Sequence, residues 1–155
     1  MGIRVDGLDT LTQTIPAGAL SATNGKIAFY YTPRHSSGDW EKFGNNNEYV
    51  CLAWYDAENR IYLRTITATN AQLSIEVGNV LTDGTSIDMT GLVDAGTKYL
   101  IEIEYSSTQI TWSLDGAVIS TITPAGGIDF GAKIPSTFFA GTNQSGVFQS
   151  DAVFS

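Results

Sequence analysis

Polar and apolar residues alternate along most of this chain with a period of two. Ile27, Phe29 and Tyr31 are separated by Ala28 and Tyr30, Ile61, Leu63 and Thr65 by Tyr62 and Arg64, and Leu73, Ile75 and Val77 by Ser74 and Glu76. The same spacing recurs at Ile101, Ile103 and Tyr105, at Ile110, Trp112 and Leu114, at Val118 and Ser120, and near the end at Val147, Gln149 and Asp151. Side chains two apart on a strand share a face, so each run predicts a strand with one buried side. No long window carries apolar residues at the i, i+3, i+4, i+7 spacing of an amphipathic helix.

The residues between these runs are turn formers. Asp56–Asn59 and Ser106–Thr108 separate pairs of predicted strands, and Asp115-Gly116 is a two-residue hairpin signal. Asp83-Gly84 and Ala95-Gly96 mark further turns, while Pro16, Pro33, Pro124 and Pro135 fall at strand ends or in loops, where a missing N–H does least harm. The expectation is an all-β chain of about ten to twelve short strands. Antiparallel strands must bury one face, so they are expected to pack as a two-sheet β-sandwich. The 155 residues read as a single domain, 1–155. Thr32–Glu48 is the longest stretch without a strand pattern, and it is expected to form an ordered, site-bearing surface loop.

Composition narrows the partners. A net charge of −8 excludes the cationic footprint that nucleic acid or an anionic membrane requires. No apolar run approaches the ~18 residues of a spanning helix, and Met1–Asp6 has no signal-like apolar region. The single cysteine rules out an internal disulfide, and the single histidine, His35, rules out a multi-histidine metal site. Cys51 lies between Val50 and Leu52 and reads as a small buried hydrophobe.

The ordered set of segments resembles a known superfamily. Asn24-Gly-Lys-Ile-Ala-Phe-Tyr-Tyr-Thr-Pro33 is similar to the G-x-h-x-F-W-h-x-P strand of laminin-G-like and concanavalin A-like domains. Val5-Asp-Gly7 with Thr14-Ile-Pro16, Ala95–Tyr105, Thr111-Trp-Ser-Leu-Asp-Gly116, Phe138–Gly141 and Gly146–Phe154 resemble, in order, the opening, middle, hairpin and closing strands of such domains. The resemblance implies a jelly roll of two curved antiparallel sheets. Its members include carbohydrate-binding modules, glycoside hydrolases, adhesion domains and modules of viral and phage appendages, so the fold by itself fixes no activity.

Sugar recognition needs a flat aromatic face beside hydrogen-bonding groups. Trp40 with Asn45, Asn46 and Asn47, and Tyr62 between Arg60 and Arg64, are the expected ligand-binding residues. Tyr30 and Tyr55 are further aromatic candidates, and Glu76, Glu102 and Gln109 are available polar neighbours. Trp54 and Trp112 are in phase with apolar residues and are expected in the core.

Glu102 and Glu104 form the only catalytic pairing that the spacing suggests. They share a strand face with Cα atoms about 6.7 Å apart, compatible with a retaining glycosidase. Laminarinase-like members of the resembled superfamily carry Glu-x-Asp-x-(x)-Glu. This chain has Glu104 at the middle place and Ser106 or Ser107 at the last, so the chain is read as a non-enzyme. A Ser-His hydrolase would depend on His35, and no Gly-x-Ser-x-Gly elbow is present. The candidate ion is calcium, held by oxygen ligands such as Asp39 and Glu48 with Asn45–Asn47 between them.

The reading is a non-catalytic module that binds a glycan or a protein surface, acting outside the cell or on a virion. A structural domain of a virion or phage appendage, self-associating through exposed strands, is the alternative, and an atypical glycosidase is the third.

Overall fold

The computed structural model describes residues 3–5, 11–33, 49–140 and 152–154. Thirteen strands follow one another: β1 (Ile3–Val5), β2 (Leu11–Thr14), β3 (Gly25–Pro33), β4 (Tyr49–Asp56), β5 (Asn59–Thr65), β6 (Asn70–Val77), β7 (Val80–Asp83), β8 (Ile87–Asp88), β9 (Tyr99–Tyr105), β10 (Ile110–Leu114), β11 (Ala117–Ile122), β12 (Thr137–Ala140) and β13 (Ala152–Phe154). No helix occurs among the described residues, and so none is long and apolar enough to cross a membrane. The first sheet has the order β1-β13-β3-β9-β10-β11 and the second β2-β12-β4-β5-β6-β7, with β8 also on β6. Every pairing is antiparallel. The all-β sandwich expected from the alternation is therefore the observed architecture, with more strands among the described residues than anticipated.

The turns work as their residues demand. Asp115 and Gly116 both take positive φ, 49° and 81°, the geometry of a two-residue hairpin turn that matches strand twist. At the β4–β5 turn Asp56 Oδ1 accepts hydrogen bonds from Glu58 N at 3.0 Å and Asn59 Nδ2 at 2.8 Å. These bonds, Asn59's foremost, hold the Asp56 carboxyl below its usual range, and Lys133 adds to the effect.

The inward rows are those that the period predicted. Tyr99, Ile101, Ile103 and Tyr105 of β9 are buried, as are Ile110, Trp112 and Leu114 of β10, facing Ile61 and Leu63 of β5 and Leu73 and Ile75 of β6 in one core. Tyr105 donates its hydroxyl to Ser21 O at 2.6 Å, and burial pushes that hydroxyl up to about 12. The ring leaves no room opposite it: a Cβ on Gly25 would stand 2.7 Å from Tyr105 Cε1, which explains the glycine at the start of β3.

Cys51 is 1% exposed, and burial pushes its thiol up to about 12. The reactive species is the thiolate, so the folded protein is expected to resist an aromatic disulfide reagent at pH 8. Reaction should follow urea unfolding. Stoichiometric labelling of the native protein within seconds would contradict this placement.

Two expectations change on the second sheet. Trp54 is not in the core: it sits opposite Arg60 and Thr137, in the row that points away from the first sheet. Val50–Trp54 is an unbroken apolar run in a strand with register shifts at both ends, so its phase cannot be read from the sequence. The same outward face also contains Leu52 and Tyr62, 1% and 2% exposed. Strands β4 and β5 are thus buried on both sides, not half-buried.

Candidate functional site

Arg60, Tyr62 and Arg64 alternate with Ile61 and Leu63 on β5, so they share the outward face of the second sheet. Register with β6 places Glu76, Ser74 and Gln72 opposite them, and β7 adds Asp83 opposite Ser74. Arg60 directs Nε and Nη2 to Glu76 Oε2 at 2.8 and 2.7 Å. Arg64 Nη2 donates to Gln72 Oε1 at 2.9 Å and stands 3.6 Å from Asp83 Oδ1, which also accepts from Ser74 Oγ. Both guanidinium groups lie over the Tyr62 ring, at 5.3 and 5.4 Å from its centroid, and Arg60 also reaches Trp54 at 5.7 Å. The three residues expected to bind ligand are therefore brought together among acidic and amide partners, with Arg64 Nε buried and without a hydrogen-bond partner. Tyr62, a candidate ligand contact that also reads as a cross-strand packing partner, is 2% exposed and lies beneath two arginines that face Glu76 and Asp83. That is the geometry of a stabilising cation–π and ion-pair lattice.

The first sheet presents an open surface. Lys26 of β3, Glu104 of β9, Thr111 of β10 and Thr121 of β11 form one outward row, and Ala28, Glu102, Ser113 and Val118 form the next. The short side chains Thr111 and Ser113 leave a trough between the β9 carboxylates and the Val118 wall. It has a volume of about 330 Å³ and is also lined by Ser106 and Gln109, which puts it at the small end of ligand clefts, roughly 300–1,000 Å³. Lys26 Nζ lies 2.7 Å from Glu102 Oε1 and 3.9 Å from Glu104 Oε2, with Lys26 half exposed and Glu104 68% exposed. The Glu102 hydrogen bond and charge, with Glu104 behind it, hold the Lys26 ammonium above its usual range. The trough thus combines carboxylate acceptors, amide and ammonium donors, and hydroxyls that do both. Glu102 and Glu104 do share a face, as their spacing predicted, and Lys26 closes on Glu102.

Sequence reasoning did not single out Lys26, Thr111, Ser113 or Val118. Outward phase was legible for Lys26, Thr111 and Ser113, but alternation put Val118 on one face with Ser120, and the bulge in β11 turns Val118 out while Ser120 is buried. Their meeting depends on β3 pairing with β9 and β9 with β10, which no local pattern specifies. Tyr30 and Tyr55 are exposed, and Lys98 Nζ sits 4.0 Å from the Tyr30 centroid. Trp40, Asn45, Asn46, Asn47, His35, Asp39 and Glu48 lie outside the described residues. Among the described residues no three His, Cys, Asp or Glu side chains converge as a metal site would require.

At the level of sequence, no protein-family model and no curated protein matches this chain. Solved structures do. The LG1-3 region of the laminin α2 chain superposes with a TM-score of 0.70 at 11% identity, over 99% of this chain and 30% of that one. A Ruminococcus gnavus sialidase CBM40 bound to α2,3-sialyllactose gives 0.61 at 10% identity, over 99% and 87%. Tailspike protein 2 of Escherichia coli O157:H7 bacteriophage CAB120 gives 0.65 at 16% identity, over 99% and 22%. The chain therefore spans under a third of the laminin and tailspike chains and most of the sialidase module. These likenesses show the fold that the sequence resemblance implied, a concanavalin A-like, laminin-G-like jelly roll.

Proposed function

We propose that this concanavalin A-like jelly roll is a non-catalytic binding module for carbohydrate or cell-surface recognition, and that the trough on its first sheet holds a hydroxyl-rich ligand. The trough carries the reading. It is open, it has the volume of a small cleft, and Lys26, Glu102, Glu104, Gln109, Thr111 and Ser113 line it with both donors and acceptors. Such a set can bracket neighbouring hydroxyls, each of which donates and accepts. Val118, 65% exposed on the wall, adds apolar contact for sugar C–H groups. The likeness to a sialidase module solved with sialyllactose supports a glycan as the ligand class.

A non-enzyme rests on the sequence pattern, which has Glu104 and Ser106 or Ser107 where Glu-x-Asp-x-(x)-Glu has its second and third carboxylates; Glu102 holds Lys26 at 2.7 Å, while Glu104 stays exposed. Arg60, Tyr62 and Arg64 are assigned to stability. Trp40 and Asn45–Asn47 stay in the proposal as sequence-based contacts, and Asp39 and Glu48 as calcium ligands. A place outside the cell or on a virion surface follows from this role.

The test is retention on a glycan array of the wild type, Glu102→Ala, the Lys26→Ala/Gln109→Ala pair and Trp40→Ala. Charge-assisted hydrogen bonds contribute about 1.5–3 kcal/mol, so the trough variants are expected to lose roughly 10–100-fold in affinity. Retention unchanged by both trough variants would remove the trough from the proposal. A structural domain of a phage appendage is the second reading, favoured by the tailspike likeness over nearly the whole chain. Self-association without retention of any glycan would favour it.

A further inference from the structure

We infer that the ligand of the trough is a basic glycan, an amino sugar whose ammonium docks on Glu104. This rests on the trough being the glycan site. Three charged side chains line it, Lys26, Glu102 and Glu104, and the other lining residues are neutral. Two carboxylates against one ammonium leave one negative charge over. Geometry decides which carboxylate carries it. Register sets Lys26 opposite Glu104 and Ala28 opposite Glu102. Lys26 nevertheless leans across to Glu102, with Nζ 2.7 Å from Oε1, and stays 3.9 Å from Glu104 Oε2. The longer distance is outside hydrogen-bond range, and among the described residues nothing donates a hydrogen bond to the Glu104 carboxylate. Glu104, 68% exposed, is the acceptor that the trough leaves open.

The neighbours of Glu104 suit an ammonium. Thr111 stands directly opposite it on β10, and the Thr111 hydroxyl lies 3.2 Å from that of Thr121. Ser106 and Gln109 complete the lining on that side. An ammonium has three donors and no acceptor, whereas a sugar hydroxyl both gives and takes. The carboxylate, the hydroxyls and the Gln109 carbonyl supply acceptors to the one, while the Gln109 amide and Ser113 serve the other. A glycan carrying a carboxylate or sulfate would instead meet two carboxylates and find Lys26 already held by Glu102. Lys98, four residues before Glu102 and so about 13 Å away along the strand, sits over the Tyr30 ring. That is beyond the ~8–10 Å Debye length at moderate salt. The field of the whole chain, at net charge −8, acts in the same direction, drawing cations and repelling anions.

Calorimetric titration with four probes tests this: a glucosamine tetrasaccharide, its N-acetylated form, the glucan tetrasaccharide of the same linkage, and sialyllactose. The first three differ only in bearing an ammonium, an acetamide or a hydroxyl at one ring carbon. In mildly acidic buffer the sugar amine is protonated. Because Glu104 is largely in water, the glucosamine probe is expected to bind about three- to tenfold tighter than the glucan, with sialyllactose weakest. Glu104→Gln keeps the shape and removes the charge, and it is expected to erase that ratio. Glu58→Gln removes the same charge outside the trough and is expected to preserve it. Glucan or sialyllactose bound as tightly as the glucosamine probe, and weakened by Glu102→Ala, would overturn the amino-sugar inference while leaving the trough as a glycan site. A preference that survives Glu104→Gln, or is lost equally in Glu58→Gln, overturns it too. So does displacement of the glucosamine probe by an equal concentration of a simple diamine, which would make the trough a site for charge alone. A wild type that binds none of the four probes would overturn both this inference and the glycan reading beneath it.

Discussion

Arg60→Ala is expected to lower the unfolding free energy by about 3–5 kcal/mol, while Arg60→Met combined with Glu76→Leu is expected to cost little or to stabilise. The contrast follows from burial. The Glu76 side chain is 10% exposed and that of Arg60 26%, and two guanidinium nitrogens converge on one carboxylate oxygen. Truncating the arginine leaves a carboxylate with neither a counter-charge nor full hydration. It also uncovers the Tyr62 and Trp54 rings that the guanidinium spans. Replacing both partners by apolar side chains removes the charge along with its partner, and packing against Leu52 and Tyr62 then takes over. Since a quarter of Arg60 is in contact with water, the single variant is expected near the lower end of the range. Urea unfolding checks this: the midpoint should fall with the slope unchanged. A loss below about 1 kcal/mol for Arg60→Ala would mean that the pair behaves as an ordinary surface ion pair.

Trp112→Ala is expected to cost about 3–5 kcal/mol, and Trp112→Phe distinctly less, about 2 kcal/mol or under. Trp112 is 1% exposed in the middle of β10, between Ile103 of β9 and Ser120 of β11. Alanine would remove the largest side chain of the core and leave a cavity that the two sheets cannot close, because each is held by its own ladder. Phenylalanine keeps most of the apolar contact. It also removes the indole Nε1, a donor buried without a hydrogen-bond partner. Leaving such a donor unmade costs about 1–3 kcal/mol, so its removal offsets part of the lost packing. Thermal or urea unfolding of the two variants tests the ordering. Equal losses would show that the indole N–H is satisfied in solution.

Much of this was legible before any coordinates, and the reasons are local. In β9 and β10 glutamate, serine and threonine interrupt the apolar residues at every second place, so Ile103 and Trp112 could be assigned to the core from phase alone. Asp115-Gly116 announced its hairpin because few residue pairs take two positive φ values without strain. β4 defeated the same logic. With Val50 through Trp54 all apolar, neither face is marked, and Trp54 was placed in the core when it packs under Arg60 on the other side. Tyr62 could be read from its place between two arginines either as a ligand-binding face or as an ordinary cross-strand packing partner, and its burial under both guanidinium groups fits the packing.

By itself, then, the sequence determined the class, the turns and the inward half of most strands, because strand periodicity and turn chemistry act between residues a few positions apart. Only the tertiary structure decided which outward residues meet. Lys26 and Glu102 are far apart in the chain and 2.7 Å apart in space, because the β3–β9 register is set by core packing between sheets. The difference between an arginine lattice on one face and an open trough on the other has the same origin: burial of an outward side chain depends on its cross-strand neighbours, which alternation along a single strand does not encode.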